Sequence, residues 1–433
     1  GHAALGANET GSNNVAVGYG SLSANTTGSS NVAVGVGALD SNTTSTDSTA
    51  VGTNALGVST GAGNTAVGSH ALDANTSGIN NTAVGVNALG ANTTGGPNIA
   101  IGNSALLSNT TGNGSVAIGL NSLDAATTGD NNTAVGNYAL TSLTTAGSIT
   151  ALGYNAGNAL TTGADTTIVG AYAGDAITTG GQNTAIGSGA LSEATTGGGN
   201  TAVGKGALDA VTTTNNSTAV GSNALTAATG GENTGIGEAA GEALTSGTNN
   251  TFVGKDCGKS VTSGSKNVFV GSYNGNQGSL DLRTSSSYIV LSDGDGNPRL
   301  YMNENGALIS PYTQNNTTSA GANVFISAGQ FYRSTSSQRY KNTINDAAHG
   351  LADLLKLRSV TYKGNNDGDT IFGGLIAEEV HDAGLTEFVQ YDKDDKPDSL
   401  AYGNMVSLCI KAIQELKTEL DAAKTRIATL EAG

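Results

Sequence analysis

A glycine returns every 17 residues along the first 271 positions, and this spacing limits the possible folds more than any other feature of the chain. It ends a phrase of the form Thr-Ala-Val-Gly and falls at Gly18, Gly35, Gly52, Gly68, Gly85, Gly102, Gly119, Gly136, Gly153, Gly170, Gly187, Gly204, Gly221, Gly237, Gly254 and Gly271, the step shrinking to 16 twice. A strict period of this length means stacked coils, each buried against its neighbours. The residue before each glycine is aliphatic (Val17, Ile101, Leu152, Val270). The third before it is β-branched (Val15, Thr82, Ile99, Val268), so the two share one face of a short strand. Between them stands Ala in most copies, giving way to Ile168, Gly235, Phe252 and Phe269. A strand apolar on both faces must be covered on both. The expectation is that one face lines the coil interior while the Ala ladder lets three coils approach a common axis.

Other columns repeat with the glycine. Asn recurs four residues before it (Asn14, Asn31, Asn64, Asn81, Asn267) and can hydrogen-bond from coil to coil. Leu usually stands four residues after it (Leu39, Leu72, Leu208) as a second core position, replaced by Gly157, Gly174, Gly241 and Gly258 in four copies. Paired threonines such as Thr26-Thr27 and Thr110-Thr111 suit the turns that close each coil. They do not make a flat ice-binding array, because sequence neighbours in a strand point oppositely. Sixteen coils at about 4.8 Å per rung predict a rod of about 75 Å.

Composition excludes several function classes. Aromatic residues make up 4%, Trp is absent and Gly numbers 65, which argues against one large globular core. A net charge of -16 argues against nucleic acid or an anionic membrane as partner. No run of about 18 apolar residues predicts membrane insertion. Carboxylates are sparse through the repeats, whereas a glycosidase needs two that converge. Cys257 falls at a small packed position, and no disulfide framework or cofactor motif is present. The chain begins in mid-repeat, which predicts a preceding N-terminal region.

Beyond Gly271, residues 287–303 read as two strands around an Asp/Gly turn. Asp293, Asp295, Asn297 and Glu304 imitate the spacing of a calcium loop, but Pro298 stands where that loop needs Gly, so a plain hairpin is expected. Residues 323–333 read as one further strand, and residues 272–335 as a β-rich connector. From Ser336 onward the composition changes: these 98 residues carry 11 of the 18 Lys and Arg. A helix is expected over 350–363. Val406, Cys409, Ile413, Leu416, Leu420, Ala423, Ile427 and Leu430 keep a 3,4 alternation, which predicts a coiled coil over about 404–431 with Cys409 packed in its seam. Glu378 and Glu379 suit a helix-terminal salt bridge as well as a catalytic role. His349 and His381 have no partner at triad spacing.

Two resemblances follow. Residues 1–271 resemble the head repeats of trimeric autotransporter adhesins, which implies a parallel β-roll wound as a trimer. In residues 336–433, four motifs in order resemble the endosialidase-type intramolecular chaperone domain of phage tail spikes and fibres: Ser336 with Lys341; the helical segment over 350–363; Gly374-Leu375-Ile376-Ala377-Glu378-Glu379-Val380; and Leu400-Ala401-Tyr402-Gly403-Asn404-Met405. That resemblance implies Ser336 as nucleophile, Lys341 as general base and a cut between Thr335 and Ser336. Ser337 stands where the family often has Asp. A lysine can serve as base only where burial disfavours its charged form, which trimer assembly would supply. Read without the domain around them, Ser336 is a linker serine and Lys341 a solvated charge.

The fold class expected is mainly β: a trimeric β-solenoid shaft of 17-residue coils, then an α+β chaperone domain ending in a coiled coil. The function expected is a homotrimeric receptor-binding tail fibre of a phage or phage-like injection system. It would contact a host glycan or protein receptor and, through a preceding region, tail or baseplate proteins. It would sit on a virion tail or injection particle, with self-cleavage as its only catalysis and no cofactor. The alternatives are a bacterial trimeric surface adhesin on the cell surface and a glycan-degrading tail spike.

Overall fold

The computed structural model describes residues 1–311, 324–327, 330–333, 344–364, 369–392 and 394–432. They belong to two compact units, 1–317 and 318–433.

The first unit is a parallel β-solenoid. Sixteen three-residue strands, from Val15–Val17 to Val268–Val270, stack in one ladder in which each residue pairs with its equivalent one coil on, as Val15 with Val32 and Ala16 with Ala33. The strands are short because the backbone turns at every marker glycine. Gly119, for example, has φ +136°, and a Cβ there would stand 2.5 Å from the carbonyl oxygen of Gly136 in the next coil. Conformation and stacking thus both demand glycine.

The two strand faces are assigned the opposite way from expectation. The central Ala column (Ala33, Ala50, Ala66, Ala83) is fully buried inside the coil, whereas the flanking columns, one aliphatic and one mostly Thr, point outward, Val17 being 56% and Ile99 41% exposed. The reason is volume. The interior must also hold the Leu column, including Leu39 and Leu89, so only a methyl fits opposite it.

Where the central residue grows, Leu gives way to Gly. A Cβ on Gly157 would meet Ile168 Cδ1 at 2.7 Å, and one on Gly241 or Gly258 would meet the Phe252 ring at 2.9 or 2.6 Å. Phe252 packs on Phe269, with ring centres 5.2 Å apart, and Phe269 on Tyr273 at 5.1 Å, so the core is aromatic at the end of the regular repeats.

Two polar columns run beside this core. In the expected one, Asn31 Oδ1 accepts from the backbone N–H of Ser48 at 3.0 Å and Asn31 Nδ2 donates to the Ser45 carbonyl at 2.8 Å. The bonding runs mainly between side chain and backbone, and it satisfies buried amides that water cannot reach. The second column is a true amide ladder: Asn92 Nδ2 donates to Asn75 Oδ1 at 2.8 Å, and Asn109 Nδ2 to Asn92 Oδ1 at 2.9 Å. From Ala126 onward this column turns apolar, with Leu143, Leu160, Ile177 and Val211 buried in it. The first threonine of most turn pairs is used as expected, Thr110 Oγ1 donating to the Thr127 carbonyl at 3.1 Å.

The 17-residue spacing stops at Gly271, yet the ladder adds one more rung. Strand Ile289–Ser292 pairs in parallel with Val268–Val270 and places Val290 in the buried central column. Its other edge pairs antiparallel with Pro298–Met302, which pairs with Leu308–Ile309. The switch from parallel to antiparallel closes the ladder's edge with local hairpins.

In the second unit, the strand expected over 323–333 is instead two, Val324–Ser327 and Gln330–Arg333, paired antiparallel. The helix expected over 350–363 is only Leu351–Leu354. The β-branched and aromatic run that follows forms strand Val360–Tyr362 against Phe372–Gly374. Helix Ala377–Asp382, a hairpin of Val389–Tyr391 with Pro397–Leu400, and a 30-residue helix Tyr402–Glu431 complete it. Val380, Leu385, Phe388, Met405 and Leu408 form its small core.

Candidate functional site

The largest unusual surface is the outward face of the solenoid ladder. Its two columns are filled by β-branched and aliphatic residues on every rung, ending with Ile289 and Leu291, the latter 45% exposed. Because each rung is paired to the next, the residues just before the marker glycines form a continuous aliphatic column from Val17 to Leu291, beside a second column that is Thr on most rungs. Monomeric proteins seldom expose contiguous strips of this extent, and when they do an interaction site is marked.

A second apolar face lies on helix Tyr402–Glu431. Met405, Leu408 and Ala412, spaced for one side of a helix, pack into their own unit. Val406, Ile413, Leu416, Leu420, Ile427 and Leu430 are exposed, Ile413 at 65%. They include most of the expected coiled-coil seam. Cys409 of that seam is exposed in the single chain. Around it runs a groove of about 420 Å³ lined by Leu354, Leu375, Tyr402, Val406, Ile410 and Ile413.

Two of the sequence motifs meet at this groove. The Tyr402 hydroxyl accepts from the Leu375 N–H at 2.8 Å and donates to its carbonyl at 3.3 Å, tying the start of the long helix to the loop before helix Ala377–Asp382. The sequence reading missed Glu415. Its Oε2 accepts from the Leu351 N–H at 2.7 Å, so the long helix satisfies an orphan donor of the short one. The 64-residue separation left no local signal.

Ser336, Lys341 and the bond after Thr335 lie outside the described residues. Glu379 is paired with Arg358, whose hydrogen bonds hold its carboxyl below the ordinary range, and Glu378 is exposed. His349 Nδ1 lies 3.0 Å from Asp353 Oδ2, and His381 Nδ1 2.9 Å from the Tyr391 hydroxyl. His349 Nε2 also lies 3.5 Å from Glu387 Oε1, so its ring joins carboxylates of two separate segments, while His381 ties helix Ala377–Asp382 to the hairpin strand Val389–Tyr391.

In the calcium-like loop, Asp293 Oδ1 accepts from the backbone N–H groups of Asn297 at 2.9 Å and Asp295 at 3.1 Å, while Arg299 Nε reaches Oδ2 at 2.8 Å. Glu304 is engaged elsewhere, accepting from the Tyr288 hydroxyl, which pushes that phenol up to about 12. Among the described residues no group of three or more metal-ligating side chains is found. The Asn297 N–H, with Arg299 behind it, holds the Asp293 carboxyl down to about 2. Because the folded value is depressed, the turn gains stability above the ordinary carboxylate pKa and loses it as pH falls towards about 2. The amide resonance of Asn297 is expected to titrate with a midpoint near that value; a midpoint in the ordinary range would contradict the bonding described.

Near the same end of the solenoid is a recess of about 460 Å³ whose lining includes Lys255, Asp256, Lys259, Gln277 and Asp295. Its lysines are engaged, Lys259 with Asp256 at 3.0 Å and Lys255 with Glu238 at 3.3 Å, so it offers no spare cation to an anion. Burial pushes the Cys257 thiol up to about 12, and its sulfur donates to the Phe269 carbonyl at 3.4 Å, which makes it a packing residue. No helix among the described residues is long and apolar enough to cross a membrane. No family model, no curated protein and no solved structure matches the chain.

Proposed function

We propose that the chain is the shaft and assembly unit of a homotrimeric host-attachment fibre, carried by a phage or a phage-like injection device. Three copies pack their outward aliphatic ladders together around one axis, and the exposed face of helix Tyr402–Glu431 joins the same trimer. The observation that supports this reading is the aliphatic column present on every rung of the shaft and open to solvent in the single chain, a surface that water disfavours and that a second and third copy would cover. A fibre of this kind binds a surface receptor and performs no turnover. The unit from Ser336 onward directs trimer formation and is then released: the Ser336 hydroxyl attacks the carbonyl carbon of Thr335 while Lys341 takes its proton, the Thr335–Ser336 C–N bond breaks as the Ser336 nitrogen is protonated, and water hydrolyses the resulting ester to free both pieces.

The mass of freshly expressed chain under denaturing conditions, beside that of Ser336→Ala, tests the cut. Two fragments breaking before Ser336 in the first and one intact chain in the second are expected. An intact wild-type chain would remove self-processing and leave residues 336–433 as a permanent tip. A bacterial surface adhesin would share the shaft but not the cut.

A further inference from the structure

The shaft is poor in aromatic rings at its surface, yet three tyrosines, Tyr154 and Tyr172 exposed and Tyr138 half-buried, stand on successive coils. Tyr138 and Tyr154 have ring centres 6.1 Å apart, and Tyr154 and Tyr172 5.3 Å, each pair edge to face. Tyr154 is 45% and Tyr172 46% exposed.

Tyr138 and Tyr172 occupy the second position after the marker glycine, where the backbone is left-handed, with φ +61° and +56°. Neighbouring coils fill that position with Asn121 and Asn155, and others with Gly20, Gly37, Gly189 and Gly206, residue types that take this conformation at little cost, although His70, Ser104 and Ala239 also stand there. A bulky aromatic there is strained. The shaft also holds left-handed leucines such as Leu39, but their complete burial offsets the strain. The tyrosine rings recover only their edge-to-face contacts with one another. Strain kept at a surface position for so small a packing gain points to use by a ligand.

Charge narrows the ligand. The first Lys or Arg of the chain is Lys205, while nine carboxylates, among them Asp124, Asp130, Asp165 and Asp175, precede it. An anionic sugar would find no cation along this stretch and would be repelled. The C–H face of a neutral pyranose, by contrast, packs on the negative face of an aromatic ring, and the phenol hydroxyls and the side chain of Asn155 can bond its hydroxyls.

We infer that Tyr138, Tyr154 and Tyr172 form a binding site for a neutral, linear glycan on the host surface. The inference rests on the host-attachment reading and names the class of receptor.

The test uses the full chain with Tyr138→Asn and Tyr172→Asn together, substitutions that copy Asn121 and Asn155. Saturation-transfer NMR against neutral glucan, galactan and N-acetylglucosamine oligosaccharides, with sialylated and uronate oligosaccharides beside them, reads binding; thermal melting reads the fold. The wild-type chain is expected to bind at least one neutral oligosaccharide and neither anionic one. The double variant is expected to bind it about tenfold more weakly, the equivalent of one lost stacking contact, with its melting temperature unchanged or raised. Binding equal in both proteins, binding of anionic oligosaccharides only, or no binding by either would overturn the inference. A fall in melting temperature with no change in binding would do so too, giving the rings a purely structural role. Attachment to host cells is scored in parallel. Cells held equally well by both proteins would retire the tyrosine site and leave the attachment reading standing, whereas sugar binding without attachment to any cell would do the reverse.

Discussion

Replacing Gly119 with Ala is expected to destabilise the solenoid by about 3–5 kcal/mol, the upper range for a single substitution. The new Cβ would meet the Gly136 carbonyl at 2.5 Å, and φ +136° is a region that residues with a side chain rarely adopt. Neither fault can be relieved locally. The opposing atom is backbone, and Gly136 is itself bonded into the ladder through its N–H to the Ile118 carbonyl at 2.8 Å. Denaturant unfolding followed by circular dichroism gives the value. Gly189→Ala is the control: it has φ +64° with nothing within 4 Å of the added Cβ, so only the left-handed strain of about 1 kcal/mol applies. Equal losses for the two variants would show that stacking distance is not what fixes the marker glycine.

Phe252→Ala carries the second large effect, a loss of about 3–5 kcal/mol from a cavity that its neighbours cannot fill. Gly241 and Gly258 flank the ring and have no side chain to move into the space. The exchange of volumes makes the rescue specific. Gly258→Leu alone is expected to be strongly destabilising, since its Cβ would strike the Phe252 ring at 2.6 Å. Combined with Phe252→Ala it rebuilds the cross-section of other coils, as in Ala83 with Leu89, and should recover most of the loss. The double-mutant cycle would then show a coupling of opposite sign to additivity. Additive losses would mean the two positions do not share one interior.

That compensation also explains what the sequence showed and what it hid. The period, the marker glycines and the Asn column were legible because each depends on backbone geometry repeated from coil to coil. Which strand face lay inside was not legible from alternation, because a three-residue strand presents two apolar faces and period 2 does not rank them. The deciding signal was present but not periodic: Ile168 falls between Gly157 and Gly174, and Phe252 between Gly241 and Gly258, so large and absent side chains trade places across one narrow core. The amide ladder through Asn75, Asn92 and Asn109 was hidden because it turns apolar at Ala126, which blurs its period. In the second unit the long helix was readable from its heptads. Leu351–Leu354 was overextended because its leucines run on into a segment whose β-branched residues pair with Phe372–Gly374 instead. The roles of Glu415 and Tyr402 depend on contacts across 64 and 27 residues and leave no local pattern.

Burying the outward ladder against two further copies is the step on which the whole functional account depends. Light scattering on native Ser336→Ala protein, in which any self-processing is blocked, measures it directly. The account predicts a single species of three times the 42.5 kDa chain mass, unchanged on dilution. A stable species of one chain mass, with the aliphatic column still open to solvent, would contradict it.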